Sequence, residues 1–90
     1  MKKRKHIVFT GRVQAVGFRW TACNLARDRG LTGWVRNEYD GSVTMEVQGE
    51  QEDIDWMVER LMTDRYIRID NLDVSSRPLS ERETGFEVRY

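Results

Sequence analysis

From Ser42 to Gln48 the chain alternates strictly between polar and apolar residues. A period of two puts Val43, Met45 and Val47 on one face of a strand. Ser42, Thr44, Glu46 and Gln48 fall on the other face, which is expected to be wet. A helically spaced segment lies on each side of this strand. Phe18, Ala22, Leu25, Ala26 and the aliphatic stem of Arg29 recur at i, i+4, i+7, i+8 and i+11, which predicts a helix from about Phe18 to Arg29, stopped by Gly30. Ile54, Met57, Val58 and Leu61 recur at i, i+3, i+4 and i+7 behind the acidic turn Glu50-Gln51-Glu52-Asp53, which suits a helix N-terminus. Two singly striped helices and a one-sided strand can bury their apolar faces together only as a helical layer on a sheet.

The remaining strands are shorter signals. His6 to Thr10 is a β-branched and aromatic run, and Gly11 to Gly17 is a loop. Leu31 to Asn37 reads as a second strand, and Glu38-Tyr39-Asp40-Gly41 as the hairpin turn after it. Gly49 is expected to break the third strand. Ile69 to Ser76 is a weaker strand, Arg77 to Thr84 a loop with the only proline, and Phe86, Val88 and Tyr90 a short final strand. The order β-α-β-β-α-β plus a terminal strand gives an α+β class: a two-layer ferredoxin-like βαββαβ fold, its antiparallel sheet carrying both helices on one face. Residues 1–90 form a single domain. A chain of this length buries about 60–65% of its unfolded surface, leaving room for one core and one small site.

Composition removes several function classes. The 15 basic and 15 acidic residues cancel, which argues against bulk nucleic-acid binding. No apolar run approaches the roughly 20 residues of a membrane helix, and no apolar stretch of secretory length follows the basic start, so a cytoplasmic location is expected. The single Cys23 excludes an internal disulfide and a multi-cysteine zinc site. The charge is unevenly spread. Residues 1–49 carry nine bases and four acids, residues 50–90 six bases and eleven acids, so an anionic ligand belongs with the first half.

The usual catalytic clusters are missing. His6, the only histidine, lies in a strand, and Cys23 has no local activator; both read as structural. The acids at 50–55 read as a solvated helix start. One segment stands out: Gly11-Arg12-Val13-Gln14-Ala15-Val16-Gly17-Phe18-Arg19 joins a strand to a helix N-terminus. Unpaired amides and the positive end of a helix dipole face such a loop, glycines let amides turn inward, and Arg19 can fork onto phosphate oxygens. It is either an anion cradle or an ordinary connection with an exposed Arg. Asn37, ending the second strand, returns to the level of this loop. It is either a turn residue or an amide that holds a water in line with a bound phosphate.

Together these segments closely resemble acylphosphatases. The family pattern Gly-x-Val-Gln-Gly-Val-x-Phe-Arg runs over Gly11 to Arg19, and a second pattern is met by Gly33, Trp34, Val35, Asn37, Gly41, Val43 and Gly49. The ending Phe86 to Tyr90 also looks like the family's closing strand. The resemblance implies a small free-standing acylphosphatase that needs no metal or other cofactor. Arg19 corresponds to the phosphate-binding arginine, Asn37 to the asparagine that positions the attacking water, and Gln14, Ala15, Val16, Gly17 and Phe18 to the phosphate cradle. The one departure is Ala15, where the family has Gly; if that position needs a positive φ, Ala adds roughly 1 kcal/mol of strain. The expected partners are a small-molecule acyl phosphate and inorganic phosphate, with no nucleic acid and no membrane, acting on a monomer. Trp20, Trp34 and Tyr39 could flank the site but read as packing.

Three rivals use the same scaffold. An RNA-binding sheet would display aromatics on the central strands, and the polar face of the third strand has none. A domain of a larger carbamoyl-phosphate-handling assembly is disfavoured by the short, unextended chain. An anion-sensing domain would keep the cradle without turnover.

Overall fold

A computed structural model describes residues 1–90. The elements are β1 (Lys2–Arg12), α1 (Phe18–Asp28), β2 (Thr32–Asn37), β3 (Val43–Glu50), α2 (Gln51–Met62), β4 (Arg68–Ser76) and β5 (Phe86–Arg89). The sheet order is β4-β1-β3-β2-β5. Three pairings are antiparallel, as expected: β1 with β3, β1 with β4, and β2 with β3. The terminal strand β5 joins the edge parallel to β2, so the five-stranded sheet is mixed. No helix is long and apolar enough to cross a membrane.

The core lies between the sheet and both helices. Ile7, Phe9, Val35, Val43, Met45 and Val47 project from the sheet onto Phe18, Ala22 and Ala26 of α1 and Ile54, Met57 and Leu61 of α2. Each large side chain buried this completely stabilises the fold by about 1.5–3 kcal/mol before ordering costs. Arg29 ends α1 as its C-cap and ties the two helices together. It lies 4.0 Å from the Trp56 ring centroid, and its Nη1 donates to Asp53 Oδ1 at 3.0 Å.

Two details of β3 differ from the expectation. Gly49 does not break the strand, which runs on to Glu50 with Gly49 opposite Lys3. A Cβ there would meet Leu31 Cδ2 at 2.3 Å, so glycine serves close packing. Nor is the polar face wet: Ser42, Thr44 and Gln48 are 4%, 6% and 6% exposed. β3 is the central strand, and the 77–85 segment reaches back over its outer face. Gln48 Nε2 donates to Ser80 O at 2.9 Å while Ser80 N donates to Gln48 Oε1 at 2.8 Å. Arg4, itself 7% exposed, donates through Nη1 and Nη2 to Glu83 (2.7 and 3.1 Å) and through Nε to Glu46 Oε1 (2.9 Å).

Glu46 also faces His6 Nδ1 at 2.7 Å. Burial pushes the Glu46 carboxyl up, but the hydrogen bonds from His6 and Arg4 outweigh it and hold the group below the ordinary carboxylate value. A depressed carboxylate contributes stability that is complete above its unfolded pKa of about 4.3 and is lost as the pH falls through the folded value. Glu46→Gln should therefore melt lower than the parent at neutral pH and lose less stability on acidification through that range. Parallel melting curves with the same acid slope would show that this network adds nothing.

Candidate active site

Register brings the two chemistry-bearing segments together. Val43 of β3 pairs with Phe9 of β1 on one side and with Asn37 of β2 on the other. β1 and β2 therefore run in the same direction, with Phe9 level with Asn37, and β1 continues to Arg12 before the loop that leads into α1. Asn37 shares its strand face with Val35, so it lies on the helix side of the sheet.

The cradle is built by backbone conformation. Ala15 has φ 60° and is the only non-glycine residue with positive φ; Gly17, the N-cap of α1, has φ 82°. Val13 is buried and anchors the loop from below. Left-handed residues interleaved with ordinary ones make the kind of backbone concavity that receives anions. Thr21 N donates to Gly17 O at 2.9 Å, closing the first helical turn. The amides of Phe18, Arg19 and Trp20 lie ahead of that bond and have no acceptor within the helix. The α1 N-terminus has no side-chain cap and no acid in its first turn, whereas α2 has Glu52 and Asp53 there. The positive end of the α1 dipole is left uncompensated at the cradle.

Gln14 fixes this loop to the β2–β3 hairpin. Its Nε2 donates to Glu38 O and to Ser42 O, both at 2.8 Å. The hairpin is closed by Glu38 N donating to Ser42 O at 2.8 Å and by Asp40 Oδ1 accepting from Ser42 N and Oγ. These bonds from Ser42 hold the Asp40 carboxyl below its usual pKa. One amide thus couples the cradle to the turn that carries Asn37.

Ala15, Gly17, Phe18, Arg19 and Asn37 line one cleft of about 390 Å³. Two expected cradle residues do not line it: the Gln14 side chain is committed to the hairpin, and Val16 packs against the core beside a separate groove with Arg12, Arg65 and Tyr66. The Arg19 guanidinium lies 5.4 Å from the centroid of the Tyr90 ring. Asn37 Oδ1 is the one buried side-chain polar atom without a hydrogen-bond partner. An unmet acceptor of this kind costs about 1–3 kcal/mol, and the residue that carries it lines the cleft.

The other residues weighed from the sequence divide between their expected roles and different ones. Trp20, read as packing, is 74% exposed and forms a wall of the cleft. Trp34 packs on the opposite face between the Arg36 and Arg89 guanidinium groups, 5.1 and 4.9 Å from its ring centroid. Tyr39 neither packs nor flanks the site, being fully exposed on the hairpin. His6 is on the outer face, edge-on to Trp34, away from the cleft. Cys23 is buried as expected but also floors the cleft; burial pushes its thiol pKa up, and the Arg27 charge offsets part of this. Val13, Arg27, Val88 and Tyr90 complete the lining, and the last three were not singled out from the sequence. Arg27 was within reach, since it lies at i+8 from Arg19 on one helix face; Val88 and Tyr90 needed the parallel β2–β5 pairing.

The Ala15 conformation gives a direct test. A left-handed Ala costs roughly 1–2 kcal/mol, while Gly adds back up to ~1 kcal/mol of unfolded-chain entropy. Ala15→Gly should leave stability level or raise it by up to ~1 kcal/mol, read by denaturant unfolding. A loss of stability would mean that the Ala15 methyl makes contacts worth more than its strain.

Comparison with known proteins bears on the fold and the family. A family model described as Acylphosphatase matches residues 5–88. An acylphosphatase from Bifidobacterium longum is 43% identical over 88 residues, covering 96% of this chain and 91% of that protein. The crystal structure of acylphosphatase from Bacillus subtilis superposes with a TM-score of 0.90 at 30% identity, over 100% of both chains. Full-length HypF, solved in a phosphate- and nucleotide-bound form, is matched over 100% of this chain but only 12% of its own, with a TM-score of 0.90 and 26% identity. Fold, loop pattern and relatives agree, and the chain belongs to the acylphosphatase family.

Proposed function

We propose that the chain hydrolyses acyl phosphates by direct attack of one water on a phosphoryl group held in the Gln14–Arg19 cradle. The observation that carries this reading is Asn37, which lines the cleft with the cradle residues and whose Oδ1 has no hydrogen-bond partner. It accepts a hydrogen bond from the attacking water and turns a water lone pair toward phosphorus. The amide is not a base, so its contribution is orientation. As the new P–O bond forms, the bond from phosphorus to the acyl oxygen breaks. A dianionic acyl phosphate and water become a carboxylate and dihydrogen phosphate, with both water protons kept on the phosphate.

Arg19 and the open amides at the α1 N-terminus hold the equatorial oxygens, where charge is spread in the transition state. Arg19 lies over the Tyr90 ring, a contact worth only about 0.5–1 kcal/mol at an exposed site. A forked guanidinium–phosphate pair is stronger and draws it away. The departing carboxylate has a conjugate acid with a pKa near 4, so it leaves without a general acid. A phosphate monoester has a much poorer leaving group, and the cleft offers no acid to protonate it. No group of His, Cys, Asp and Glu side chains has the arrangement to hold a metal, and the cradle already supplies positive charge; metal-independent turnover is part of this reading. A monomeric cytoplasmic enzyme completes it, with acyl phosphate and inorganic phosphate as its partners.

Two measurements test the mechanism. Arg19→Ala should lose both turnover and competitive inhibition by phosphate, whereas Asn37→Ala should keep phosphate binding and lose about 10²-fold or more in kcat. A stable Asn37→Ala that turns over at the parent rate excludes the water-orienting role, and phosphate binding without turnover by the parent would identify an anion-sensing domain instead. Acetyl phosphate hydrolysis should survive exhaustive chelation; activity that vanishes and returns with a divalent ion would show that a metal takes part.

A further inference from the structure

The cleft is larger than its chemistry requires. At about 390 Å³ it lies within the 300–1,000 Å³ range of sites for whole small molecules, far beyond a phosphoryl group. The cradle and Asn37 occupy one end. From there the cleft follows α1 toward its C-terminus, because Arg19, Cys23 and Arg27 at i, i+4 and i+8 all line it. Val88 of β5, paired with Val35 one step below Asn37 on that face, lines it as well. The middle of the trough is therefore apolar, floored by Cys23 and Val88.

Arg27 stands at the far end, about 12 Å along the helix axis from Arg19. It makes no ion pair, side-chain hydrogen bond or ring contact, unlike Arg29 two residues on, which has both Asp53 and Trp56. Helical side chains lean back toward the N-terminus, so the Arg27 guanidinium lies over the preceding turn, and its charge is felt at Cys23. No Asp or Glu side chain lines the cleft to neutralise it. A cation in the last turn of a helix is favourable for the dipole alone, but that role does not require the side chain to line the cleft.

We infer that Arg27 is a specificity residue, and that the cleft prefers acyl phosphates whose acyl chain ends in a second anion, such as the monophosphate of a short dicarboxylic acid. The phosphoryl group sits in the cradle, the methylene chain crosses Cys23 and Val88, and the distal carboxylate meets Arg27. The assignment rests on the acyl phosphate hydrolysis proposed above and names the substrate class of that same site.

Succinyl phosphate and butyryl phosphate test it, because they match in length and differ in the terminal group. The readout is their ratio of kcat/KM, which cancels any general effect on phosphoryl binding or on the catalytic step. The parent should favour succinyl phosphate about five- to tenfold, as fits a charge-assisted hydrogen bond at an exposed site. Arg27→Gln should bring the ratio close to one, and Arg27→Lys should keep part of the preference. A parent ratio near one, or a preference that survives in Arg27→Gln, overturns the assignment, and so does a fall in Tm with the ratio unmoved. Acetyl phosphate separates this failure from the larger one. If the parent hydrolyses it but does not discriminate by end group, only the Arg27 role falls; if the parent hydrolyses no acyl phosphate, the underlying reading falls with it.

Discussion

Everything in the site depends on the pairing of Val43 with two partners at once. Val43 sits opposite Phe9 on one side and Asn37 on the other, so β3 acts as a ruler that brings β1 and β2 to one level. A slip of one residue between β2 and β3 would turn Asn37 to the outer face and expose Val35, so the apolar core enforces the position of the polar group. Gly33 contributes to the same lock. It has φ 143°, and a Cβ there would approach Glu46 O to 1.9 Å, so no other residue lets β2 lie this close to β3. The Gln14 amide then adds the loop to this frame through two bonds.

The cradle is charged by omission as much as by inclusion. Its helix begins with two residues of unusual φ nearby, no cap and no acid, each a departure from what stabilises an isolated helix start. A capped, acid-led α1 would satisfy its own amides and repel a phosphate. The opposite face of the sheet shows the reverse policy. There Arg4, His6, Glu46, Gln48 and Glu83 are paired with one another.

Much of this was legible in the sequence because local periodicity is strong. The alternation in β3 and the stripes of α1 and α2 specify one sheet and one helical layer, and the loop motif marks the strand–helix junction. Asn37 was legible for the same reason, as the last residue of a strand whose direction the topology determines. What escaped the sequence arises from contacts between distant segments. The buried polar face of β3 depends on residues 77–85, which have no period to read. The parallel seat of β5, which brings Val88 and Tyr90 to the cleft, follows from an edge choice that alternation in a four-residue strand cannot specify. Gly49 looked like a break because its lack of a side chain matters only against Leu31.

The order of the strands also bears on how the molecule comes to exist. β1 is held between β3 and β4, and its partners lie far along the chain, Phe9 meeting Val43 and Leu72. Loops of this length must close before β1 gains any neighbour, which places the protein among domains that fold slowly through non-local contacts. Neither the cradle nor Asn37 has a defined position until β3 has joined both flanking strands. No folded fragment of the chain can therefore hold half of the site: the binding geometry arrives together with the closed sheet and disappears with it.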